Sequence, residues 1–521
     1  MFWQKIMGWI ASMTGNKASV LLTATALSLL GTAALADSKN NILTIGIASE
    51  PFTLDPGQGV AGTDYPFLYS LFERVLRFDP KTLEPTPGLA ESWEFTGDNK
   101  TVFRFKLRPN LTFQDGTPVD AEAVKASLLH FKDDGRVKDL DIIKSIDVVD
   151  PLTVALTLTQ PYSPITSVLS DRAGMIISPT ALKKLGRDFE RSPIGAGPFK
   201  VTKWAAGQNL EIEKFPGYWD HGRVQLSGIR FRFITNPTSL VSAALTGQVD
   251  YAFALDPKNI SVLKANPRIR VESEPTLAYF EIALYLGPPL DNLKVRQALA
   301  MSLDRLVLRD AIIGDAGGEG PTSLPVPPSS FASSPDWANA IKYDPVKAKQ
   351  LLAEAGYPNG LTLKICGSPS TGYGADILDI EREQLKPAGF TLDVTMMTPS
   401  ACLQASAVKH DFPLLQIGFS GRPHPFMTFQ QNFGSTGQYN GAHLKYPGVD
   451  ELLDKIAATY TSAEQKPLFA QLDRLWVEQV PHLPLFFRPN VSVYSRAIAG
   501  ELPNAQGKPD PTSIYFIDRK K

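Results

Sequence analysis

Cysteine is nearly absent: Cys366 and Cys402 are the only two in 521 residues. Neither a C-x-x-C nor an H-x-x-x-H spacing accompanies them, so no metal site is expected. Charge bias is absent as well. With 52 basic and 53 acidic residues and a formal net charge of -1, the chain lacks the electrostatic footprint of a nucleic-acid binder. Catalytic signatures are missing too: there is no G-x-S-x-G, H-E-x-x-H, P-loop or EF-hand loop, and the βαβαβ stretch from 361 to 417 contains no G-x-G-x-x-G. No catalytic residue, cofactor or dinucleotide is therefore assigned. After Asp37 no apolar run is long enough to span a bilayer.

One apolar run precedes that point. Lys5 and Lys17 stand ahead of residues 18–34, which end in Ala34-Leu35-Ala36. This is the layout of a secretory signal peptide cut after Ala36, with a retained membrane anchor as the alternative. No cysteine near the cut could accept a lipid, so a soluble periplasmic product is expected. In that oxidising compartment a disulfide between Cys366 and Cys402 and two buried free thiols stand as equal alternatives. The cysteines meet if the strands ahead of them are adjacent and parallel.

What is present reads as globular. Hydrophobic residues make up 43% and charged residues 20%, and 42 prolines and 39 glycines are scattered rather than clustered. This length suggests roughly two to four domains with many turns.

Residues 42–48 form an apolar strand, followed by the long loop EPFTLDPGQGVAGTDYPF. In open α/β sheets such a loop is a preferred ligand site, which makes Gly62, Asp64 and Tyr65 candidates. Residues 102–107 and 152–158 alternate at strand period. Between them Asp120 can cap a helix carrying Val124, Leu128 and Phe131 on one face, so this part reads as a small antiparallel α+β unit. Residues 229–234, a helix through Ala243 and Leu245, and residues 249–255 follow as strand, helix, strand, the order of a parallel sheet. Farther on, residues 361–366, 375–386, 391–396, 401–408 and 412–417 alternate as βαβαβ. Leu468, Leu472, Leu475 and Trp476 recur as a core stripe.

The last of those strands runs into Gly418–Pro425, GFSGRPHP. Glycine admits close backbone approach and the prolines stiffen the path, so Phe419, Ser420, Gly421, Arg422 and His424 are candidate ligand contacts. Tyr373, in the loop CGSPSTGYG, and Tyr439-Asn440 complete the set. Arg422 can hold a carboxylate or phosphate in a fork, with Tyr439, Phe419 and Tyr65 supplying contact area; pairing of Arg422 with a neighbouring carboxylate such as Asp64 is the alternative.

The segments LAESWEF, LRPNLTFQDGTPVDAEAVKASL, GAGPFKVTKW, FPGYWDHG, LTGQVDYA, LDNLKVRQALAMSLDR and YDPVKAKQLLAEAGYPNG resemble, in this order, the extracellular solute-binding proteins of the peptide/nickel ABC importer class. The resemblance implies an α/β, two-lobed periplasmic-binding-protein fold (type II, cluster C-like) with a small α+β domain inserted in the first lobe. Laid on this chain it implies lobe I from 37–80, 193–287 and 491–521, the inserted domain from 81–192, and lobe II from 288–490. It also implies a monomer that encloses a small molecule and delivers it to the transmembrane subunits of an ABC permease, without catalysis. A secreted hydrolase and a periplasmic chaperone or sensor partner are the rival readings. Peptide-binding relatives use an aspartate for the peptide ammonium where this chain has Arg422. The loop after Ile365 lacks the arginine that holds a peptide carboxylate in dipeptide-binding relatives. The resemblance therefore leaves an acidic or modified peptide, an opine-like conjugate and an oligosaccharide as ligand classes.

Overall fold

The computed structural model describes residues 41–59, 62–285, 287–320, 322–368, 373–437, 439–440, 444–500 and 505–517. The expected signal segment and its cleavage site lie outside them. Among the described residues no helix is long and apolar enough to cross a membrane.

Three larger sheets organise the chain. The first has seven strands, in the order Ile269–Glu274, Asn490–Ser495, Tyr251–Ala252, Ile42–Ile47, Gly228–Phe233, Asn209–Lys214 and Phe199–Ala205. Ile42–Ile47 is central and pairs in parallel with Gly228–Phe233 and Tyr251–Ala252. Such a strand is covered on both faces, which is why five of its six residues are buried and its sequence, ILTIGI, is almost continuously apolar.

The second sheet has four antiparallel strands, Ala90–Thr96, Val102–Leu107, Thr153–Leu158 and Ile143–Asp150. The helix Ala121–Asp134 belongs to the same unit and begins where the Asp120 carboxylate accepts from the Ala123 N–H at 2.9 Å. Phe103, Phe105 and Leu107 point into a shared core with Val124, Leu128 and Phe131.

The third sheet runs Phe390–Met396, Leu361–Gly367, Leu414–Phe419, Tyr279–Leu284 and His482–Phe487. Its first three strands are parallel, and the last two join antiparallel. Tyr279–Leu284 corrects an expected boundary: the first lobe is expected to run to residue 287, yet among the described residues this strand pairs only within the third sheet. The chain leaves the first sheet after Glu274 and enters the third at Tyr279, and it returns between Phe487 and Asn490.

Cys366 and Cys402 are joined in a disulfide with their Cα atoms 5.7 Å apart, which removes the free-thiol alternative. The pair is buried with Ala283, Tyr285, Phe412 and Leu415.

Helix Gly374–Leu385 covers the opposite face of this sheet through Ile377, Leu378 and Leu385, and the same buried stripe contains Glu381. Removal from water pushes the Glu381 carboxyl up to about 8. Its folded pKa exceeds the unfolded value of about 4.3, so its contribution is most favourable below that value and is lost as pH rises to about 8. Glu381→Gln is therefore expected to leave stability nearly unchanged at pH 4.5 and to raise it at pH 8.5 by an amount on the order of a few kcal/mol. Denaturant titrations of both proteins at the two pH values check this; an equal effect at both would contradict it.

Candidate functional site

The rim of the third sheet builds one wall of the site. Tyr279 pairs with Phe419 on one side and with Phe487 on the other. Their rings form a continuous aromatic surface: Tyr279 lies 5.4 Å from Phe419 and 5.2 Å from Phe487, and Phe419 meets Tyr439 edge-on at 4.6 Å. The strand expected over 412–417 is displaced by two residues to Leu414–Phe419, so Gly418 and Phe419 belong to the ladder rather than to the loop. Phe412 is buried with the disulfide, ahead of the ladder.

The loop then turns against the first lobe. A Cβ on Gly62, at the start of the turn Gly62–Asp64, would stand 3.5 Å from the Ser420 Cβ. A Cβ on Gly421 would come within 2.4 Å of the Leu277 Cβ and 3.2 Å of the Gln506 Cα. Glycine at 421 is thus required by close approach, because the nearest atoms belong to stiff parts of their residues.

Arg422, next in the chain, is part of a cluster of charges drawn from five places in the sequence. Its guanidinium lies 3.7 Å from the Asp139 carboxylate. Arg172 lies 3.8 Å from Asp64, and the Lys508 ammonium donates to Asp171 at 3.2 Å. The Tyr65 ring sits among them, with the Lys508 Nζ 4.0 Å and the Arg172 guanidinium carbon 4.6 Å from its centroid. Asp64, the carboxylate named as an alternative partner for Arg422, stands by Arg172 instead, and the acid that faces Arg422 is Asp139.

These environments differ in strength. Burial alone would raise Asp171, but Lys508 and, after it, Arg422 outweigh it and hold the carboxyl below its ordinary value. At Asp139 burial wins over the attraction of Arg422, and the carboxyl is raised. The Arg422 guanidinium, which burial would lower, is raised by Asp139, Tyr65 and Asp171. The Asp139 to Arg422 separation exceeds hydrogen-bond length, so the weak effect on Asp139 describes this pair better than the rise at Arg422 does. The pair is loose.

Two of the expected contacts, Asn440 and His424, have other work. Asn440 is buried, its amide N–H groups donate to the Gly434 and Leu444 carbonyls, and its Oδ1 accepts from the Leu444 N–H. It braces the loop that carries Tyr439. His424 caps helix Pro425–Phe433 by accepting the Phe426 N–H at 3.2 Å on Nδ1, and burial pulls its pKa down to about 4, so it is neutral. It lines a separate cavity of about 90 Å³ with Ser163, Tyr460 and Gln465. Tyr373 packs edge-on against Phe280 at 6.0 Å, on the face of the sheet opposite Phe419.

Asp139, Asp171, Arg172 and Lys508 were not singled out from sequence. The adjacent opposite charges of Asp171-Arg172 after the apolar stretch ITSVL were the one local signal. Nothing near Lys508 marks it.

Gly421→Ala should hinder the approach of the two lobes while leaving each intact. We expect a loss of closed-state stability of about 1–3 kcal/mol, the usual size of an overpacking defect. Small-angle scattering on the purified protein checks this through a larger radius of gyration, and unchanged scattering would contradict it.

Residues 84–441 match the family model described as bacterial extracellular solute-binding proteins, family 5 Middle. The chain is 31% identical over 484 residues to the glutathione-binding protein GsiB of Shigella flexneri, covering 88% of this chain and 91% of that protein. Among solved structures it is similar to MoaA of A. tumefaciens R10 in complex with mannopinic acid, at 27% identity and a TM-score of 0.77, covering 91% and 99% of the two chains. It shares the fold of DppA from Helicobacter pylori in complex with the peptide STSA, at 20% identity and a TM-score of 0.80, covering 91% and 98%. The chain belongs to the bacterial extracellular solute-binding proteins of family 5, the non-enzymatic, substrate-capturing components of ABC importers.

Proposed function

We propose that the solute is a zwitterionic, peptide-like or opine-like molecule whose acidic group docks on Arg422 and whose ammonium docks on Asp139. The observation that carries this is the loose pair between those two residues, 3.7 Å apart and facing each other from the inserted segment and the third-sheet loop. A carboxylate arriving at Arg422 displaces Asp139. Asp139 is already disfavoured as a buried anion, so it then needs a cation, and a ligand ammonium supplies one. Phe419, Tyr439 and Tyr65 offer apolar area for the rest of the molecule. The glutathione and mannopinic acid named for similar proteins have this combination of charges. Six charged side chains around the site make a neutral oligosaccharide the poorer fit.

In this reading the protein is a periplasmic monomer, released by cleavage after Ala36, that hands its ligand to the transmembrane subunits of an ABC permease. Its first lobe is built from 37–80, 193–278 and 491–521, with 81–192 inserted and 279–490 as the second lobe. Ligand contact with both lobes favours the closed form by the difference between its affinities for closed and open forms.

Calorimetry with glutathione, together with native mass spectrometry of molecules retained through purification, tests the assignment. Arg422→Ala should weaken binding by roughly 10- to 100-fold, the range expected for a charge-assisted hydrogen bond. Unchanged affinity for the retained molecule would remove Arg422 from the site.

A further inference from the structure

The buried arginines of the second lobe are held in two different ways. Arg296 donates to the carbonyls of Gln479, Val480, Leu290 and Asp291, and Arg305 to those of Pro484 and Ala300. Both are structural rivets. Arg488 differs from them: its guanidinium makes no hydrogen bond and no ion pair among the described residues, although its surroundings strip enough water from it to lower its pKa. Among the described residues the one titratable neighbour that acts on it is the Tyr373 hydroxyl, which burial raises and keeps neutral. A half-buried cation held without a carboxylate is costly, and that cost is recovered when an anion arrives.

Its position gives the anion a source. Arg488 follows directly on the strand His482–Phe487, and Phe487 and Phe419 flank Tyr279 on its two sides. Arg488 and Arg422 therefore leave the same rim of the same sheet from strands two spacings apart, roughly 10 Å. Arg488 stands on the Tyr373 side and Arg422 on the Tyr439 side. The backbone of Arg488 is fixed, with its N–H on the Ala278 carbonyl at 2.8 Å and its carbonyl accepting from the Thr276 hydroxyl at 2.7 Å.

We propose that Arg488 is a second anion-binding residue of the cleft and that the solute carries two acidic groups, one held by Arg422 and the other by Arg488 beside Tyr373. This rests on the reading of Arg422 as the first anion contact. It makes the ligand a diacid with an amino group, and not a simple monocarboxylate peptide.

Calorimetry on the full mature chain separates the two readings, with Arg488→Gln, Arg488→Lys and Arg422→Gln each titrated with glutathione, with glutathione amidated at its glycine carboxyl, and with α,ω-dicarboxylates from succinate to suberate. Arg488→Gln should weaken at least one diacid by roughly 10- to 100-fold, with partial rescue by Arg488→Lys, and should leave the residual affinity of the monoacid unchanged. The melting temperature of the ligand-free protein should hold or rise in Arg488→Gln, because an unpaired cation is removed; a marked fall would mark the residue as structural and overturn the inference. Diacid binding that depends on Arg422 but not on Arg488 also overturns it and leaves the first reading standing. Failure of the whole panel to bind the unmodified protein sinks both.

Discussion

Two short segments that cross between the first and third sheets, 275–278 and 488–489, fix where everything in the site can be. They are laced to each other: the Thr276 hydroxyl donates to the Arg488 carbonyl, and the Arg488 N–H to the Ala278 carbonyl. The tail is tied to the same place, since the Leu277 N–H donates to the Ala505 carbonyl at 2.7 Å. Leu277 is also the residue on which Gly421 packs. Lys508, Gly421 and Arg488 thus take their positions from one crossing, although they lie far apart in the chain. A double crossing of this kind lets two lobes rotate about a narrow strip without shearing their cores.

Contact away from the crossing is of a different kind. The inserted segment meets the helices of the second lobe through the Ser163 N–H on the Ala457 carbonyl at 2.7 Å, and through ring contacts of Phe95 with Tyr460 and Tyr162 with Phe426. These contacts favour closure. The charges work the other way within the first lobe and its insert: Asp64, Asp171, Arg172 and Lys508 are all buried, and ion pairs rarely recover their full desolvation. A small ligand can shift an open–closed equilibrium only by its own preference for one form.

Much of this fold is legible in the sequence because strand alternation and helix capping are local. Phe103, Phe105 and Leu107 are inward as their spacing requires, and Asp120 and Asp344 cap the helices they precede. The displaced strand at 414–419 shows where local pattern misleads. FPLLQI reads as one apolar run, but Pro413 has no N–H for the ladder, and the pairing continues instead through Gly418 to Phe419. Tyr279–Leu284 fails for another reason: YFEIAL is a good buried strand in either sheet, and only the tertiary pairing chooses. The site was legible in part. Gly421 and Arg422 lie in a loop whose composition marks it, whereas Asp139, Asp171, Arg172 and Lys508 converge from regions with no shared pattern.

The charge at 422 gains its meaning from that convergence. An isolated arginine at the end of a strand would be a cost to closure whenever no ligand is bound. Asp139 relieves part of the cost by facing it across the cleft, at a distance too long for a firm hydrogen bond and with burial working against its own charge. In the proposed reading the two residues stand in for the two ends of a zwitterion, each occupying the other's place until the ligand supplies a better partner. On that reading closure around a matching ligand replaces one weak pair by two stronger ones. A ligand with only one of the two charges would satisfy one residue and leave the other buried and alone, so selectivity follows from the pair and not from Arg422 by itself.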